Sequence, residues 1–139
     1  MSNDKETIER NVEVVRTFLR GWDELDVELC MSECAEDMVY LNQPLEAIRG
    51  KDNVRRMIAS IFAPSKRKPK FEILNIFGYQ NKVITERLDQ WDWDATGSWQ
   101  LQLPVCGMFE LTVNGHIIEW REYYDNELWS KHGGPSLTF

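Results

Sequence analysis

A chain of 139 residues has the length of a single domain and can bury a sizeable core. Its formal charge of -7, with 23 acidic against 16 basic side chains, argues against a nucleic-acid partner, which draws on dense Lys and Arg. Three cysteines without CxxC spacing, two histidines, a charged N-terminus and the absence of any apolar run near ~18 residues point to a reduced, cytoplasmic, soluble chain and against a zinc site or a membrane span.

In chain order, Ile8, Val12, Val15, Leu19 and Trp22 recur at the helical period, and Asp4 or Thr7 is placed to cap that helix. Val27 to Ala35 predicts a short second helix. Met38 to Asn42 predicts a strand ended by Pro44. A third helix carries Val54, Met57, Ile58, Ile61 and Phe62, with Asp52 as its expected cap and Pro64 as its stop. The basic cluster Lys66, Arg67, Lys68 and Lys70 lies beside Pro64 and Pro69 and reads as a solvated loop rather than an anion site.

The period then changes to two. Phe71 to Tyr79, Lys82 to Trp93, Trp99 to Val113 and His116 to Tyr124 predict four strands. Asn114-Gly115 predicts a two-residue hairpin turn pairing Val113 with His116, hence Leu111 with Ile118, Phe109 with Trp120, Gly107 with Glu122 and Val105 with Tyr124. On that face every partner is apolar or aromatic except Glu122. The glycine opposite it leaves room for a water or substrate atom, or marks a bend in a long strand. The run Val83 to Trp93 puts Val83, Thr85, Arg87, Asp89 and Trp91 on one face. Its simplest register across Asp94 to Gly97 pairs Asp89 with Leu103, out of reach of Glu122. A bulge or a longer 94–101 loop is then expected to bring the two acids together.

Helices first and a meander after them predict an α+β fold, a curved antiparallel sheet closed on its concave side by three N-terminal-half helices around an apolar pocket. One domain over 1–139 is expected, with short flexible ends at about 1–5 and 130–139. Within that pocket an Arg and an Asp two residues apart are costly to bury unless paired and used. Arg87, Asp89 and Glu122 are therefore candidates for acid/base chemistry, with Tyr40 and Asn42 on one strand face as a phenol and an amide able to hold one water. Plainer roles remain open: an ion pair that only fixes the sheet, an idle carboxylate at Glu122, and satisfied strand residues at Tyr40 and Asn42. Trp91, Leu103, Val105, Trp120 and Tyr124, with Leu101 and Phe109, read as core or pocket wall, and His116 and His132 as solvent-facing. No glycine-rich phosphate loop, GxSxG or HExxH occurs, so neither a cofactor nor a metal is expected.

Four segments carry a resemblance: Tyr40-Leu41-Asn42-Gln43-Pro44-Leu45, Thr85-Glu86-Arg87-Leu88-Asp89, Gly107-Met108-Phe109 and Trp120-Arg121-Glu122-Tyr123-Tyr124-Asp125. In that order, over about residues 9 to 129, the chain resembles the limonene-1,2-epoxide hydrolase family of the SnoaL-like, nuclear-transport-factor-like cone superfamily. The resemblance implies a metal-free, one-step hydrolysis of a small, mostly apolar epoxide. Asp89 stands where the family's acid protonates the epoxide oxygen, Arg87 where an Arg bridges two acids, Glu122 where an Asp takes a proton from the attacking water, and Tyr40 and Asn42 where that water is held. It also implies a homodimer through the outer face of the sheet. Glu122 is the departure, one methylene longer than the family's Asp. Two other readings stay open: an isomerase or epoxide-opening cyclase on the same cone, and a non-catalytic ligand-binding or dimerisation module.

Overall fold

The computed structural model describes residues 4–137. Helix α1 (Lys5–Asp23) starts at Asp4, whose side chain accepts from Glu6 N, and buries Val15, Phe18, Leu19 and Trp22 along one face. Helix α2 (Val27–Ser32) is capped by Asp26 and is shorter than expected, because Cys34 and Ala35 already belong to strand β1 (Cys34–Asn42). A two-residue strand β2 (Ile48–Arg49), which the sequence reading lacked, pairs with β1. Helix α3 (Lys51–Phe62) is capped by Gly50 in the left-handed region at φ +88°, not by Asp52. Asp52 lies in the first turn and is bonded by Arg55 instead.

Strands β3 (Lys68–Tyr79), β4 (Lys82–Asp92), β5 (Leu101–Leu111) and β6 (Ile117–Tyr123) form the meander. Lys68 and Lys70 stand in β3 rather than in a loop, paired with Asp92 and Gln90. A fourth helix, α4 (Asn126–Lys131), follows, capped by Asp125. The single six-stranded sheet has the order β2-β1-β6-β5-β4-β3. It is mixed rather than wholly antiparallel, since β1 and β6 run parallel. That parallel pair carries the N-terminal half onto the far end of the meander, and α1 to α3 pack over the concave side, where most of the core lies.

The hairpin β5–β6 departs from expectation at its tip. Thr112 N bonds to His116 O and Gly115 N to Thr112 O, a three-residue turn with Gly115 at φ +81°. Leu111 therefore pairs with Ile117, not Ile118. A bulge between Glu110 and Leu111 then absorbs one residue, so Phe109 faces Trp120 and Gly107 faces Glu122 as the simple count predicts. The segment from residue 130, expected as a flexible end, packs back on the fold. Trp129 N–H on the indole ring bonds to Pro135 O, and Leu137 is buried. The outermost parts of both expected ends, residues 1–3 and 138–139, lie outside the described residues.

Candidate active site

Alternation along β4 turns Thr85, Arg87, Asp89 and Trp91 to the concave face, where all four are buried. Arg87 is 1% exposed and its guanidinium is almost fully engaged. Nε and Nη2 fork onto Asp89 Oδ1 and Oδ2 at 3.0 and 2.9 Å. Nη2 also donates to Glu122 Oε1 at 2.7 Å, and Nη1 to Thr85 Oγ1 at 2.9 Å. Two carboxylates on one desolvated cation offset a burial cost that neither sign could bear alone. The Cζ atom lies 5.7 Å from the Phe71 ring centroid.

Asp89 does pair with Leu103, and no bulge interrupts β4–β5. The expected bulge is absent, and the longer loop, which spans residues 93–100, leaves that register unchanged. Thr85, Gly107 and Glu122 stand in register across β4, β5 and β6, and the long Arg87 side chain reaches diagonally back toward that row while holding Asp89. Gly107 does not leave a gap for substrate. A Cβ there would sit against Arg87 Nη1, Glu122 Oε2 and Thr85 Oγ1, so its missing side chain is the space through which the ion pair forms.

The row continues into β1, where Asn42 is the partner of Glu122 and Tyr40 the partner of Trp120. Tyr40 lies flat on Trp120, with ring centroids 3.8 Å apart. Among the described residues, Asn42 Oδ1 and Nδ2, Glu122 Oε2 and Trp120 Nε1 are buried without a hydrogen bond of full geometry. Such atoms are costly to leave unmade, and they have near partners in one another: Trp120 acts on Glu122, and Asn42 on Tyr124, as hydrogen-bonding neighbours. Burial raises the Glu122 carboxyl to about 7, while Arg87 pulls it down and the Asp89 charge pushes it up. Burial likewise raises the Tyr124 phenol to about 12, against a lowering contribution from the adjacent Asn42 amide. Tyr40 moves in the same direction for the same reason.

Asp89, Glu122 and Tyr40 face a narrow cavity of about 40 Å³. The expected wall residues Trp91, Leu103, Val105, Trp120 and Tyr124 line it. Arg87, Asn42 and Gly107 stand behind that wall rather than in it. Trp22, Met57, Ile61 and Phe71 complete the sides; their sequence signal was core periodicity, which does not separate packing from lining. Trp129 and Leu137 close it from the C-terminal segment, and the Asp125 cap with the Gly133-Gly134-Pro135 turn was the available clue. Thr85, also absent from the expected site, was visible only as a member of the β4 face. His116 and His132 are exposed, as expected, and Leu101 and Phe109 are core.

Among the described residues no group of three or more His, Cys, Asp or Glu side chains could hold a metal ion, and no helix is long and apolar enough to cross a membrane. The family model of the limonene-1,2-epoxide hydrolase catalytic domain matches residues 9–131. Among solved structures, an LEH-like epoxide hydrolase of M. tuberculosis is 25% identical, with 90% of each chain covered and a TM-score of 0.75. A putative polyketide cyclase of Xanthomonas campestris pv. campestris is 14% identical over 91% of this chain and 99% of its own, with a TM-score of 0.78. A putative SnoaL-like polyketide cyclase of Jannaschia sp. CCS1 is 18% identical over 91% and 92%, with a TM-score of 0.71. These last two share the cone fold. A search of curated proteins finds no match.

Proposed function

Because the chain belongs to the limonene-1,2-epoxide hydrolase catalytic-domain family, we propose that it opens a mostly apolar epoxide by direct attack of water, giving a vicinal diol. The observation that carries this reading is the shared guanidinium: Arg87 Nη2 lies 2.9 Å from Asp89 Oδ2 and 2.7 Å from Glu122 Oε1 at the side of one aromatic cavity. Burial and the repulsion between two neighbouring carboxyls favour a single shared proton, against the pull of Arg87 toward ionisation, and the proposed chemistry takes that proton on Asp89 and leaves Glu122 as the base.

In the proposed step Asp89 gives its proton to the epoxide oxygen as the carbon–oxygen bond breaks. Water forms the new carbon–oxygen bond and gives a proton to Glu122. Asn42 and Tyr40 orient that water, the position of Asn42 opposite Glu122 across the β1–β6 ladder supporting its part. The proton on Glu122 then returns to Asp89 through solvent, restoring the pair. A carboxylate lifted to about 7 is a stronger base than an ordinary Glu, near the value at which general-base catalysis is most effective at neutral pH. A cavity of about 40 Å³ holds only water-sized guests, so a substrate enters as Leu137 moves aside.

Single-turnover hydrolysis of cyclohexene oxide in heavy-oxygen water tests the reading. Label in the diol after one turnover is expected; unlabelled diol would require a covalent ester on Asp89 or Glu122. A product that gains no water would favour the cyclase reading. Asp89→Asn should lower the rate ~100- to 10,000-fold with an unchanged circular-dichroism spectrum. We further propose a cytoplasmic setting, which suits the free thiols of Cys30, Cys34 and Cys106, and a homodimer through the outer sheet face.

A further inference from the structure

The basic run that reads as a solvated loop contains one residue that is only partly solvated. Arg67 is half-buried, its Nη1 donates to Ile61 O at 2.8 Å, and its Cζ lies 5.0 Å from the Trp93 ring centroid. Among the described residues no carboxylate stands within ion-pair distance of it. Asp94, which shares its groove, is the one charge that acts on it appreciably, and partial burial moves its pKa downward. A positioned, partly desolvated guanidinium without a counter-ion is an anion receptor in waiting, because its fork matches a carboxylate and its orientation is already fixed.

Around it lies an open groove of about 830 Å³ lined by Lys66, Arg67, Trp93, Asp94, Gln100 and His132, with two permanent cations against one anion. The groove and the catalytic cavity share a wall. Trp93 stacks on Trp91 at 4.6 Å, and Trp129 meets both edge-on at 5.6 and 6.4 Å. Trp91 and Trp129 face the cavity, whereas Trp93 and the His132-Gly133 backbone face the groove. The C-terminal segment that closes the cavity is thus also the partition between the two spaces. Trp93 follows Asp89 by four residues in the chain, a backbone rise of about 13 Å at ~3.3 Å per residue.

We propose that Arg67, seated on Trp93 across the shared wall from the cavity, binds the carboxylate of an amphiphilic epoxide whose reacting end reaches Asp89 and Glu122 when the Trp129–Leu137 segment dividing the two spaces moves aside. The proposal rests on the hydrolase reading for the identity of the reacting end only. The carboxylate replaces the missing counter-ion, and the apolar chain runs along the Trp93-Trp91 stack. Neutral and anionic substrates are then separated by Arg67, not by the catalytic pair.

Calorimetric titration with octanoate, octanol and acetate tests this without turnover. Octanol is the more readily desolvated of the two long ligands, so a preference for the acid reports the cation. Octanoate should bind roughly 5- to 10-fold more tightly than octanol at low salt, with the preference shrinking at about 0.5 M salt. Arg67→Gln should erase the preference while leaving octanol within about twofold, and Arg67→Lys should retain part of it. Equal binding of acid and alcohol, no binding of either, or a preference that survives Arg67→Gln overturns the proposal. Acetate binding as tightly as octanoate also overturns it, since the groove would then hold a free anion and not a substrate tail. If Arg67→Gln does not fold, a wild-type preference insensitive to salt or unchanged in Arg67→Lys is equally fatal. Turnover of neutral cyclohexene oxide is read separately: its absence beside an intact octanoate preference removes the hydrolase reading and leaves the anion site standing.

Discussion

Burial lifts the Glu122 carboxyl from its ordinary 4.5 to about 7, so between those values the folded chain holds a proton that the unfolded chain has released. More protons on the folded state means that this contribution to stability is full below about pH 4.5 and is lost as pH rises through about 7. Activity runs the other way, because only the ionised Glu122 can take a proton from water. The kcat/KM profile should therefore climb through about pH 7 while the thermal midpoint falls over the same range, and Glu122→Gln should abolish the first trend and flatten the second. Shortening the same side chain breaks the 2.7 Å contact with Arg87, and Glu122→Asp should lose ~10- to 100-fold in rate. Gly107 makes a complementary case. Gly107→Ala places a methyl group against Arg87 Nη1 and Glu122 Oε2, and should cost ~1 to 3 kcal/mol by denaturant unfolding, with a matching collapse in rate. A pocket merely narrowed at that point would instead raise KM and leave stability alone.

Among the elements, the C-terminal segment has the most to say about access. Helix α4 and the turn after it hold Leu137 against the cavity, with Gly134 N bonded to Trp129 O and the Trp129 indole bonded to Pro135 O. Leu137→Ala should weaken the fold by less than the ~2 to 5 kcal/mol of a core Leu truncation, since the site is terminal, and should lower KM for bulky epoxides more than for cyclohexene oxide. Equal KM changes for both would detach Leu137 from access. This element was illegible in the sequence because a short polar helix followed by Gly-Gly-Pro looks like a frayed end until one knows what it covers. The meander was legible for the opposite reason: alternation in β4 sets its faces and Asn-Gly locates the hairpin, although a three-residue turn offset by a bulge, not the simple count, gives its register. The parallel β1–β6 pair was not, since no local signal joins residue 42 to residue 122. Nor was the meeting of Asp89 with Glu122, because Cα register says nothing of how far an arginine reaches.

For the whole molecule, the outer sheet face bears Phe77, Tyr79 and Tyr123 at 61%, 60% and 49% exposure, an apolar surface that the proposed dimer would cover. Sedimentation should find a dimer of the 16.4 kDa chain, and Phe77→Glu should shift it toward monomer without touching the concave side. A wild-type monomer at micromolar concentration would remove the dimer proposal. The concave side has a further property that belongs to no single strand. Thr85, Gly107, Glu122 and Asn42 form one transverse row over β4, β5, β6 and β1, each step made by a different ladder. Contacts between such distant stretches of chain form late, after the local hairpins have closed. A ribosome-bound or half-folded chain thus carries scattered, ordinary acids and no reagent. Slippage by one residue in any of the three ladders turns a member of the row to the opposite face. Chemical competence acts here as a checksum on assembly, appearing only when every ladder has been read in step.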